Sequence, residues 1–150
     1  MLEKQIDADI KTALLAGEQH RATVLRTVKA ALLNFKVAQG TRDSAMNDSD
    51  VIAILSKEAK KRQESADMYI QGGSKERAMI EMAEKALIEQ YLPEQMTPDE
   101  MAVLVDEVIN ATGANSAQDL GMVIGQTKAK AGPAADGGLI AKLAKERLGA

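Results

Sequence analysis

Two prolines five residues apart, Pro93 and Pro98, do most to fix how this chain can fold. They frame the stretch Tyr91-Leu92-Pro93-Glu94-Gln95-Met96-Thr97-Pro98. A broadly apolar helical segment runs into Pro93, which has no amide hydrogen to donate and clashes with the preceding turn at a cost of about 3 kcal/mol. A second helix is announced just beyond. Thr97 is a good N-cap, Pro98 suits the first helical position, and Glu100 sits three residues after the cap, where it can bond back. The joint predicts two helical units, residues 1–93 and 97–150.

The only aromatic residues are Phe35, Tyr69 and Tyr91, so any core is built from Leu, Ile, Val, Ala and Met. No stretch alternates polar and apolar residues as a half-buried strand does. An all-α fold is expected: an N-terminal bundle of about four helices followed by a three-helix C-terminal domain. There is no cysteine, which removes disulfide and thiol chemistry. No apolar run approaches the ~20 residues of a membrane span. The start lacks a signal-peptide core, so a cytoplasmic location is expected.

Apolar spacing near 100° per residue predicts helices over 1–16, 18–39, 50–71 and 75–92, then 98–112, 117–131 and 137–148. The third places Val51, Ile54, Leu55, Ala59, Ala66, Tyr69 and Ile70 on one arc. Gly17 and Gly40 close the first two, Ser116 caps the sixth with Asp119 at the third position completing a capping-box-like pair, and Asp136 caps the last. The polar run Asp43, Asn47, Asp48 and Asp50 lacks the central glycine and closing glutamate of a calcium loop, and helix capping by Asn47, Asp48 or Ser49 is expected of it instead. Gly72-Gly73-Ser74-Lys75 has the wrong glycine spacing for a phosphate loop.

The lone histidine, His20, has no companions for a zinc site or a nucleophilic triad, and the Rossmann and Walker glycine patterns are absent. Three clusters remain. Glu58 and Arg62 lie four apart inside an apolar arc, with Ser65 one turn on. They form either a partly buried ion pair or an anion site in which Arg62 faces a groove. Arg26, Lys29 and Lys36, with Lys57, Lys60 and Lys61, form either a basic surface or an ordinary solvated face. The third cluster is the tail. Residues 97–119 carry five acids and no base, whereas 120–150 carry five bases and two acids. Gly121 and Gly125 share one helix face, which suggests close backbone approach by a neighbouring helix or an external phosphate. Lys128, Lys130, Lys142 and Lys145 lie nearby in sequence. Without aromatics such a surface cannot stack bases, but it can hold a folded RNA through shape and phosphate contacts.

The run Lys60-Lys61-Arg62-Gln63-Glu64-Ser65, the Tyr91-Leu92-Pro93 motif, the glycine-bearing sixth helix and Ala135-Asp136-Gly137 together resemble the YqeY family. That family is in turn similar to the tail of the B subunit of the aspartyl/glutamyl-tRNA amidotransferase. The resemblance covers essentially the whole chain. It implies that the tail helps hold tRNA, at Gly121, Gly125, Lys128 and Lys130, while amide transfer belongs to other domains and subunits. Asp136 reads as a helix cap, since a carboxylate repels phosphates. Two positions depart from the family pattern: Met122 stands in place of a lysine, and Pro133-Ala134 in place of a Gly-Arg pair.

The resulting expectation is a non-catalytic, tRNA-associated module without cofactor or metal. An adaptor docking on the amidotransferase or another translation component is the alternative. Carbon–nitrogen ligase activity with glutamine as donor is not expected of a chain without a nucleotide loop, nucleophile or metal site.

Overall fold

The computed structural model describes residues 1–132 and 135–149. The protein is all-α: among the described residues there are seven α-helices, with a 3₁₀ turn at Ala117–Asp119. Among the described residues no helix is long and apolar enough to cross a membrane. The chain divides into two compact units, Met1–Leu92 and a second from Pro93 onward.

In the first unit α1 (Leu2–Leu15) packs on α2 (Gln19–Ala38), and α3 (Asp48–Gln71) packs on α4 (Lys75–Glu89). Gly17 turns the chain between the first pair at φ +75°, a left-handed conformation that favours glycine. The core joins Ile6 and Ile10 to Val24, Leu25, Val28 and Leu32, and these to Val51, Leu55 and Ile88. Each fully buried side chain of this size stabilises by about 1.5–3 kcal/mol. Polar ties fix the entry to α3. Asp48 accepts from the Leu2 amide at 2.8 Å, and Glu3 accepts from the Met46 amide at 2.9 Å. Glu3 also pairs with Lys36 at 2.8 Å, and these bonds hold its carboxyl below the usual range.

Three details differ from the sequence expectation. The third helix starts at Asp48, two residues early, because the Asn47 side chain caps it by accepting from the Asp50 amide at 2.8 Å. Ile70, expected inward, is 58% exposed, although Ala66 on the same expected arc is fully buried. The fourth helix ends at Glu89 and not at residue 92. Residues before a proline avoid helical backbone, and Tyr91 instead buries its ring in the core.

In the second unit α5 (Pro98–Thr112), α6 (Leu120–Ala131) and α7 (Gly137–Leu148) each touch the other two. The expected capping box forms at Thr97: its hydroxyl accepts from the Glu100 amide at 3.2 Å, and Glu100 accepts from the Thr97 amide at 2.9 Å. Gly113 ends α5 at φ +69°. Met101, Val105, Val108, Val123, Ile140 and Ala144 are fully buried between the three helices.

Candidate nucleic-acid interface

The entry to α6 is built by one carboxylate. A 3₁₀ turn, Ala117–Asp119, precedes the helix, and Asp119 accepts from the amides of Asn115 at 3.0 Å and Ser116 at 3.2 Å and from the Ser116 hydroxyl. The Asn115 amide does most to lower the Asp119 pKa. Ser116 is the N-cap as expected, and Asp119 at the third position completes the capping box with it. From this start Val123 and Thr127 point into the unit, and the Thr127 hydroxyl is satisfied by the Val123 carbonyl at 2.7 Å.

That register fixes the opposite face. Gly121, Gly125 and Lys128 follow one another at intervals of four and three residues, a single stripe of a helix, and all three are exposed. The spacing of the glycines leaves open a neighbouring helix or an external phosphate against them; among the described residues no helix packs there. A Cβ at either glycine would meet nothing within 4 Å. The bare backbone faces outward.

Lys128, Lys130, Lys142 and Lys145 are exposed, and among the described residues none has an acidic partner within 4.0 Å. Arg147 differs, pairing with Asp106 of α5 at 2.7 Å. The Lys128 side chain lies over the first residue of α7, where a Cβ on Gly137 would stand 3.1 Å from Cε and 3.3 Å from Nζ. Asp136 caps α7 as expected, accepting from the amides of Gly138 at 3.0 Å and Leu139 at 3.2 Å. Met122 is 41% exposed beside the glycine stripe. Pro133 and Ala134, the second departure from the family pattern, lie outside the described residues.

In the first unit Glu58, Arg62 and Ser65 share one face of α3, but the guanidinium is already engaged. Arg62 Nη1 donates to Glu58 Oε2 at 2.7 Å, and Nε stands 3.4 Å from Glu84 Oε2 on α4. Glu58 also takes Lys61 at 2.9 Å. Burial acts to raise the Glu58 pKa, yet the bonds from Lys61 and Arg62 outweigh it and the carboxyl titrates low. The ion-pair alternative describes this arrangement, since two carboxylates leave Arg62 no surplus charge for an anion. Glu84 was invisible to helical spacing because it comes from another helix.

The basic-surface alternative on the second and third helices is compensated in part: among the described residues Arg26, Lys57 and Lys60 are exposed with no acidic partner within 4.0 Å, but the other three are paired. Lys29 pairs with Asp7 at 2.6 Å, Lys36 with Glu3, and Lys61 with Glu58. Among the described residues no three His, Cys, Asp or Glu side chains are grouped to hold a metal ion.

The family model described as Yqey-like protein matches residues 3–148, nearly the whole chain. The chain belongs to that family. No curated protein matches it.

Proposed function

With membership of the YqeY-like family as the premise, we propose that the protein is a non-catalytic helical module that associates with tRNA through its second unit. The observation that carries this reading is the outward face of α6 and α7. Two glycines expose backbone there, and four lysines lack an acidic partner among the described residues. The likeness to the amidotransferase B-subunit tail supplies the ligand class. Exposed lysines contact phosphates without reading sequence, so recognition rests on the folded shape of the RNA. The amide-transfer chemistry belongs to separate domains or proteins.

The test is a gel-shift titration with tRNA at low salt. Wild-type protein is expected to bind in the micromolar range, with affinity falling as salt rises by about 0.9 or less in log–log slope per phosphate contact. Changing Lys128, Lys130, Lys142 and Lys145 together to Glu abolishes the shift. Equal affinity in that variant overturns the proposal. Recovery of a protein partner after nuclease treatment, with no tRNA shift at all, transfers the reading to the adaptor alternative.

A further inference from the structure

Helix α4 is apolar on two sides. Ala78 and Ile88 are buried. On the opposite side Met79 is 72% and Met82 41% exposed, and the exposed Ala83 and Ala86 complete an i, i+3, i+4, i+7 stripe. An amphipathic helix in a finished fold presents charge there, so this stripe calls for a partner. At 100° per residue Lys75 and Glu89 fall on the same face, one at each end. Both are exposed.

We propose that a second copy of the chain docks on this face, with the two α4 helices antiparallel about a two-fold axis at Met82. Three features of the stripe select a copy of itself. Met82 lies midway between Lys75 and Glu89, so a two-fold axis there sets each lysine against the partner's glutamate at both ends; a parallel pairing sets like against like. About that axis each Met82 meets its own copy, and Met79 lies level with the partner's position 85, one residue from the small Ala86. Such a contact is isologous and closes as a dimer. Methionine's unbranched, polarizable chain suits a surface that repacks on association. Glu89 keeps only a 3.4 Å contact to Lys85 within its own helix and is 46% exposed, which leaves its carboxylate within reach of a partner. The inference is independent of the tRNA reading, because α4 belongs to the first unit.

One helix pair is a small interface, near the lower limit of about 1,000 Å² for a specific contact, so the dimer is weak. In sedimentation equilibrium the average mass is expected to rise from 16.0 kDa toward twice that value as concentration approaches about 1 mM. Met82→Glu, at an exposed site, leaves the fold and its circular dichroism intact and holds the protein monomeric. Lys75→Glu and Glu89→Lys each weaken association about tenfold, because the symmetry breaks two ion pairs at once; the double reversal restores it. The chain has no cysteine, so Met82→Cys can be cross-linked with a short bismaleimide, and it reacts faster than the more exposed Met68→Cys. A mass fixed at 16.0 kDa, a dimer that survives Met82→Glu, or equal cross-linking at both sites each overturns the proposal. So does a monomer that uses this face only for a different helical protein.

Discussion

Tyr91 donates from its hydroxyl to the carboxylate of Asp9 at 2.5 Å, joining residues 82 positions apart. The bond ties the end of the first unit to its first helix, two residues before Pro93. Burial contributes most to the tyrosine's shift and the Asp9 carboxylate adds to it, so the hydroxyl is pushed up to about 12. A carboxylate within hydrogen-bonding distance disfavours a second negative charge.

Tyr91→Phe is therefore expected to lower stability by roughly 1.5–3 kcal/mol, the range for a hydrogen bond to a charged group. The pH dependence has a definite sign. The folded pKa lies above the ordinary 10.0, so the contribution is complete below pH 10.0 and disappears as pH rises through about 12. Urea unfolding of the two proteins at pH 7 and pH 11 measures it. A spectrophotometric titration should also show one tyrosinate appearing only near 12, and that step is missing from the variant.

Arg62→Met leaves Glu58 and Glu84 facing one another without their shared cation. A loss of about 3 kcal/mol is expected, as for breaking a buried pair by removing one partner. Glu58→Gln probes the same site by pH. The native carboxyl is held below its ordinary 4.5, so its contribution is present above that pH and is lost as pH falls through the lowered value. Stability curves from pH 7 to pH 3 should be flatter on the acid side in the Gln protein; parallel curves would contradict this account.

Gly125→Ala adds a methyl group to an exposed helix interior with nothing within 4 Å. It should stabilise the second unit by about 1 kcal/mol. Gly121→Ala, in the first turn, gains less. If a phosphate comes close to the bare backbone, the same changes weaken tRNA binding while the melting temperature rises. Binding that is unaffected, or that strengthens along with stability, removes the glycines from the interface.

Much of this fold was legible in the sequence because its signals are local. Thr97, Pro98 and Glu100 announce a helix start whatever surrounds them, and the capping box forms as written. The i,i+4 spacing of Glu58 and Arg62 likewise specifies an ion pair within one helix. What escaped was set by contacts between elements. Nothing near Arg62 in sequence points to Glu84, and nothing near Tyr91 points to Asp9. Gly121 and Gly125 show the converse: their spacing specifies a shared face, but only the packing of α5 and α7 decides that the face looks outward.

Lys128 resting across Gly137 has an energetic corollary for any polyanion. A long flexible side chain gives up about 0.5–1.5 kcal/mol of rotamer freedom when an interface immobilises it, and this one surrenders part of that before any ligand arrives. Lys130, Lys142 and Lys145 are exposed, with no acidic partner within 4.0 Å among the described residues. Under the tRNA reading proposed above, Lys128 is then the seated cation that would define where a phosphate lands, and the exposed Lys130, Lys142 and Lys145 would adapt to the backbone that follows it.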